Sequence, residues 1–200
     1  MVLATGNVLP IALALHRSLG LSGPIVAENG GIVFSDRGGE ERVEHLAHRG
    51  VALRAYRRLR ARRVPVRRLF TDRWRETEVA LEPTVSEARI RRAIVGLPVR
   101  VESTGFALHL MEKGAGKLPA LRRALGPLGL TPGDCFIAGD GDNDVDMLRA
   151  AGWAVTFRSA SPKALRVADY VARAPYARGF VEALKASGVL ERRVSRGRGR

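Results

Sequence analysis

Three short stretches carry residue types that could do chemistry. The first is Gly139-Asp140-Gly141-Asp142-Asn143-Asp144, which follows the apolar run Cys135-Phe136-Ile137-Ala138 and precedes a helical pattern. Acidic and amide groups gathered at the end of a buried strand are costly unless something binds them. Hard oxygen donors at this spacing suit Mg²⁺, which keeps several waters and takes one or two carboxylates. A helix N-cap with acidic first-turn residues is the plainer reading of the same string. Asp140-x-Asp142-x-Asp144 also opens like a calcium loop, but its glycine stands second instead of sixth and no glutamate closes it. The second stretch is Thr5-Gly6-Asn7, where a hydroxyl and backbone N–H groups at a helix start could hold an anion, or simply cap the helix. The third is Lys117, which opens a helix after Lys113-Gly114-Ala115-Gly116 and could aim its ammonium at a phosphate. It is no Walker motif: the glycine spacing is wrong and Leu118 stands where Ser or Thr belongs.

The elements that must position these residues can be read from the pattern around them. Met1–Ala4 reads as the end of a buried strand, and Asn7 as the cap of a helix from Val8 to about Leu19, with Gly20 as its stop. Ile25–Ala27 and Ile32–Phe34 read as strands about a tight turn at Glu28–Gly31, and the polar stretch Ser35–Glu41 as a boundary. From about Glu41 to Leu69 the text is helical, arginine-rich and amphipathic. Ser86–Val95 reads as a second helix, and Val99–Val101 and Ala107–Met111 as strands, which together suggest a small sheet covered by two helices. After Met111, strands alternate with helices: Pro119–Leu128, Cys135–Ala138, Asp144–Ala150, Trp153–Phe157, Pro162–Val167, Tyr170–Ala172 and Gly179–Ala186. That alternation predicts a parallel sheet, whose carboxyl edge is where ligands bind in open α/β folds.

Length and composition narrow the classes. The chain has 200 residues, 46% of them hydrophobic, so a sizeable core is within reach. The longest apolar run, Val8–Leu15, is far short of the roughly 20 residues that span a bilayer. A signal peptide is rejected because no positive charge precedes that run, and the expected compartment is the cytoplasm. One cysteine, Cys135, excludes an internal disulfide framework and a four-cysteine zinc site. Formal net charge is +14, and only four of the 34 basic residues are lysines. Such a balance favours anionic partners, although a solvated surface rich in arginine would look the same. Five arginines fall in the last ten residues, and 191–200 is expected to be a basic disordered tail. The tail lacks interleaved aromatics and no RNA-binding signature appears, which disfavours nucleic acid.

Taken together, Thr-Gly after one strand, a lysine opening a later helix and Gly-Asp-x-x-Asn-Asp after another strand resemble motifs two, three and four of the haloacid-dehalogenase superfamily. Thr-Gly-Asn-Val-Leu-Pro (5–10), Gly-Pro-Ile-Val-Ala-Glu-Asn-Gly-Gly (23–31), Thr-Asp-Arg-Trp-Arg-Glu (71–76) and Ala-Asp-Tyr-Val (168–171) are similar to the archaeal phosphoglycolate phosphatases within it. The resemblance covers roughly residues 1–186. It implies a doubly wound α/β core (1–36 and 113–190) with an inserted α/β cap (37–112). It also implies Mg²⁺-dependent hydrolysis of a small phosphorylated metabolite, 2-phosphoglycolate to glycolate, through an aspartyl-phosphate. A sugar-phosphate phosphatase of the same branch is the alternative, and a non-catalytic anion- or nucleic-acid-binding protein a third.

Carried over residue by residue, the resemblance implies that Thr5, Gly6, Asn7, Lys117 and Asn143 bind substrate and that Asp140 and Asp144 hold Mg²⁺. Arg73 and Arg75 are candidates to meet a substrate carboxylate bidentately, or else lie on a surface strand, with Trp74 between them expected in the cap core. A second copy of the chain is a further candidate partner, and a membrane is not. The family's Asp-x-Asp-Gly, which supplies nucleophile and general acid, belongs upstream of Thr5 and occurs nowhere in the 200 residues. The expectation is therefore a missing first core strand. Three origins compete for it: a misplaced start, a truncated gene, or a protein that binds phosphate without catalysis.

Overall fold

The computed structural model describes residues 1–188, so the tail expected at 191–200 lies outside the described residues. The chain divides into two compact units, 1–129 and 130–200.

The first unit opens with β1 (Leu3–Ala4), α1 (Leu9–Ser18), β2 (Ile25–Ala27), β3 (Ile32–Arg37) and β4 (Glu40–His45). These strands form one sheet in the order β1-β2-β3-β4. β1 runs parallel to β2, with Leu3 opposite Ile25, and the two later pairings are antiparallel. Successive strand residues point to opposite faces, and the sheet uses both. Ile25, Ile32 and Phe34 pack with Leu9 and Ala12 of α1. Val26 and Val33 pack on the other side with Ala120 and Ala124, which belong to a later helix.

Two expectations fail here. Val8, not Asn7, is the N-cap of α1, and it makes no side-chain cap bond. The stretch read as a boundary, Ser35–Glu41, is the tip of the β3–β4 hairpin, and Glu40–His45 is strand where helix was expected. The two-residue connection Gly38-Gly39 has both φ angles positive, at 63° and 90°, the conformation that primed hairpin turns demand and glycine adopts freely. β4 is charged and mostly exposed along its length, so no apolar alternation announced it.

The middle of the first unit has its own sheet, β5 (Val79–Leu81), β6 (Val99–Ser103) and β7 (Leu108–Glu112), in the antiparallel order β5-β7-β6. It is covered by α2 (Arg49–Ala61) and α3 (Glu87–Ala93). On α2 the buried residues are Val51, Ala52, Ala55 and Leu59, an apolar stripe at helical spacing. Leu59, Leu81, Ile90 and Leu110 form the fully buried centre of this layer. A short 3₁₀ turn, Phe70–Trp74, stands before β5. The unit closes with α4 (Lys117–Leu125).

In the second unit β8 (Phe136–Ala138), β9 (Trp153–Phe157) and β10 (Tyr170–Ala172) form the expected all-parallel sheet, ordered β10-β9-β8. The connecting helices are α5 (Val145–Ala150) and α6 (Pro162–Leu165), and α7 (Tyr176–Ala186) ends the described chain. Phe180 of α7 meets Phe136 edge-on at 5.7 Å. Glu182 fixes α7 by accepting the Arg173 and Ala174 N–H groups, each at 3.0 Å, and the Tyr170 hydroxyl at 2.7 Å. Those bonds stabilise the ionised form and hold its pKa at about 2. No helix among the described residues is long and apolar enough to cross a membrane.

Candidate active site

Between β1 and α1 the chain makes the turn Thr5-Gly6-Asn7. All three of its carbonyl oxygens are taken. Thr5 O accepts the Asn29 N–H at 3.1 Å and Asn7 O accepts the Glu28 N–H at 2.9 Å. Gly6 O accepts Nη1 of Arg75 at 2.9 Å. The Asn7 N–H donates to Thr5 Oγ1 at 3.1 Å, which leaves the hydroxyl hydrogen to be donated. Among the described residues no acceptor in the chain takes the Gly6 N–H. A turn whose carbonyls are drawn inward and whose donors remain available is suited to an anion.

Two of the three inward partners come from the short 3₁₀ turn Glu28–Gly30, which joins β2 to β3. Glu28 and Asn29 adopt φ values of 48° and 54°, an uncommon region for non-glycine residues that persists only where surroundings over-determine it. The surroundings do. The Glu28 carboxylate, 1% exposed, accepts the Thr77 N–H at 2.9 Å, the Thr77 hydroxyl at 2.7 Å and the Glu76 N–H at 3.0 Å. Burial still raises its pKa above the ordinary carboxylate value. The same turn seats Lys117. Gly30, at φ 98°, approaches the start of α4 so closely that a Cβ there would lie 2.1 Å from Gly116 O and 2.8 Å from Lys117 N. Thr5 and Lys117, far apart in sequence, are thus fixed against one three-residue turn. Lys117 is 7% exposed, a burial that lysine adopts only where its charge is compensated.

In the second unit the acidic loop leaves β8 at its carboxyl end. Asp144 is buried, and its Oδ2 accepts the backbone N–H groups of Asp140 at 3.1 Å and Gly141 at 3.0 Å. Asp140 and Asp142 are exposed and Asn143 half-buried. Asp142 accepts Lys163 Nζ at 2.6 Å, and that bond holds its carboxyl below the ordinary value. Thr156 ties the loop to β9 by donating to Gly139 O at 2.7 Å. Among the described residues no three His, Cys, Asp or Glu side chains gather to hold a metal. Asp140 and Asp144 offer oxygen donors only, the chemistry that suits a hard cation such as Mg²⁺.

Three expectations about the middle segment are corrected. Arg75 is 2% exposed; its Nη1 is committed to the Glu78 carboxylate and to Gly6 O, so it does not present a fork to a substrate carboxylate. Arg73 does lie exposed, but on a 3₁₀ turn, with its guanidinium 4.3 Å from the Phe70 ring centre. Trp74 is 47% exposed and is not cap core.

Sequence reasoning missed the residues behind the turn: Glu28, Asn29, Glu78 and His109. Each is at most 1% exposed. The available signal was polarity inside apolar text, as in Leu108-His109-Leu110-Met111 and Thr77-Glu78 before Val79-Ala80-Leu81, because charged groups are almost never buried unless paired.

With this geometry in hand, residues 80–184 match the haloacid dehalogenase-like hydrolase family, and the chain belongs to it. The phosphoglycolate phosphatase of Methanothermobacter thermautotrophicus is 34% identical over 92% of this chain and 81% of that protein. The phosphoglycolate phosphatase of Methanopyrus kandleri is 38% identical over 92% of this chain and 80% of that protein. Among solved structures, a Thermoplasma acidophilum protein superposes with a TM-score of 0.82 at 24% identity, covering 92% of this chain and 81% of its own. A haloacid dehalogenase-like hydrolase from Bacteroides thetaiotaomicron gives 0.69 at 20% identity, covering 92% and 85%. These two likenesses establish the shared fold.

Proposed function

We propose that the chain serves Mg²⁺-dependent hydrolysis of a small phosphomonoester, with 2-phosphoglycolate as substrate. The observation that carries this reading is the Thr5-Gly6-Asn7 turn, its carbonyls bound inward and its donors available, seated with Lys117 against the Glu28–Gly30 turn. Phosphoryl transfer needs little covalent chemistry from most of the protein and depends on positioning and charge neutralisation. Thr5 and Gly6 donate to phosphoryl oxygens, and the Lys117 ammonium offsets their charge. In the second unit, Asp140 and Asp144 are the residues that would hold Mg²⁺, whose chemistry when bound is the neutralisation of oxyanion charge. The relatives' names favour 2-phosphoglycolate over a sugar phosphate. Residues 37–112 are proposed as the cap, with the polypeptide before and after them as core.

No Asp-x-Asp-Gly occurs in the 200 residues, so binding tests this chain most directly, and no enzymatic rate is expected from it. Mg²⁺ should raise the melting temperature by an amount set by metal concentration over affinity, and Asp140→Asn should abolish the rise. Isothermal titration should show 2-phosphoglycolate displacing inorganic phosphate more effectively than a hexose phosphate does. An equal metal shift in Asp140→Asn removes the metal assignment, and preference for the hexose phosphate moves the substrate to the sugar series.

A further inference from the structure

Behind the anion turn lies a buried cluster of charged and polar groups. Arg75 pairs with Glu78, both side chains 1% exposed. Glu78 also accepts from Asn29 Nδ2 at 3.2 Å and meets His109 Nδ1 at 2.9 Å. His109, wholly buried, reaches the Thr104 hydroxyl at 3.1 Å through its other ring nitrogen. Burial by itself would raise the Glu78 carboxyl, but the His109 hydrogen bond and the charges of His109 and Arg75 outweigh it, and its pKa lies below the ordinary value.

A buried ion pair is weak evidence of stabilisation, since well-packed apolar residues often serve as well or better. Its position says more. Nη1 of Arg75, the atom that pairs with Glu78, also donates to the Gly6 carbonyl. Of the three carbonyl bonds of the turn, this one is supplied by a side chain; the other two come from backbone N–H groups of the neighbouring 3₁₀ turn.

We infer that Arg75 is a positioning residue for the phosphate-holding turn. Clamped by Glu78, and through it by His109 and Asn29, its guanidinium fixes the Gly6 carbonyl inward. The Thr5–Gly6 and Gly6–Asn7 peptide planes are thereby held with the Gly6 N–H presented to the anion. Such preorganisation spares the turn a reorganisation when the anion arrives. Lysine cannot reproduce the arrangement in full, because its freely rotating ammonium lacks the fixed directions in which the planar guanidinium holds the two Nη1 N–H bonds that reach carboxylate and carbonyl. This inference rests on the reading of the turn as the phosphate site.

The test uses the full 200-residue chain, inorganic phosphate as the probe, and titration calorimetry beside thermal unfolding. Arg75→Met should weaken phosphate binding at least tenfold, and Arg75→Lys should recover part of it, remaining at least threefold weaker than wild type. Asp72→Asn is the control. Asp72 is a wholly buried carboxylate of the same segment, bound by Arg49 and Arg68 and by the Ala80 N–H at 2.7 Å, with no bond to the turn. It should lower the melting temperature while changing phosphate affinity less than twofold. Thr5→Val should lose phosphate without loss of stability. Folded Arg75→Met at wild-type affinity, with Thr5→Val impaired, overturns the positioning role and leaves the phosphate site standing. Should Arg75→Met not fold, Arg75→Lys at wild-type affinity overturns it equally. Equal binding by wild type and Thr5→Val overturns the phosphate site itself, and this inference with it.

Discussion

The two loops that carry the site residues are built in opposite ways. The Thr5-Gly6-Asn7 turn is shaped from behind by residues distant in sequence: Glu28 and Asn29 through their backbone, Arg75 through its side chain. The Gly139–Asp144 loop is shaped from within, by one carboxylate four residues along that accepts two of its own N–H groups. The first arrangement places charge in the interior, where removing one partner strands the other. The second keeps two of its three carboxylates at the surface, where water softens every change. The lesson is that a turn holding an anion by backbone groups depends on the rest of the fold, whereas a loop offering carboxylates can largely cap itself.

Three substitutions sharpen this contrast, and their effects should fall in order. Glu78→Ala should be the most damaging, by about 3–5 kcal/mol in denaturant unfolding, because it leaves the Arg75 charge buried without its carboxylate. A cost under about 1 kcal/mol would show that water reaches Arg75 and that the cluster is not a closed network. Asp144→Ala removes the two N–H acceptances that shape the acidic loop, and the same measurement should show a loss of about 1 kcal/mol, the usual worth of such a cap. A loss as large as that of Glu78→Ala would erase the distinction between the two loops. Lys163→Ala breaks a pair whose side chains are 62% and 40% exposed and should cost no more than about 0.5 kcal/mol, falling further as salt is added. A salt-insensitive loss above about 1 kcal/mol would place that pair in the structural framework of the loop.

Much of the second unit was legible in the sequence, because its signals are local. An apolar run of four, a glycine-rich acidic loop and a helix follow one another within about fifteen residues, and the parallel pairing of β8, β9 and β10 follows from the alternation of strand and helix. The middle layer was also readable in outline, since α3, β6 and β7 lie close to where periodicity puts them. β4 was not. Its residues Glu40-Glu41-Arg42-Val43-Glu44-His45 are polar except for the exposed Val43, and it exists because β3 offers a backbone edge and Gly38-Gly39 turns the chain back onto it. The Gly-Gly pair was the one available clue, and it reads equally well as a linker.

The sequence alone determined the types of the groups that could bind phosphate and metal, and the order of the elements that carry them. Thr5, Lys117, Asp140 and Asp144 each stand at the junction of a strand or loop with a helix, and such junctions are written locally in capping residues, glycines and apolar runs. Only the tertiary structure decided what stands behind them. In Asp72-Arg73-Trp74-Arg75-Glu76 the two arginines look alike, yet Arg73 lies against Phe70 at the surface while Arg75 is buried on Glu78 and Gly6. The direction of a long charged side chain depends on which partner compensates its burial. Glu78 stands three residues on, but Gly6 lies 69 residues away, and His109, which holds Glu78, lies 31 residues beyond it. No local pattern records separations of that size; they are set when folding of the first unit brings Gly6, Arg75, Glu78 and His109 together.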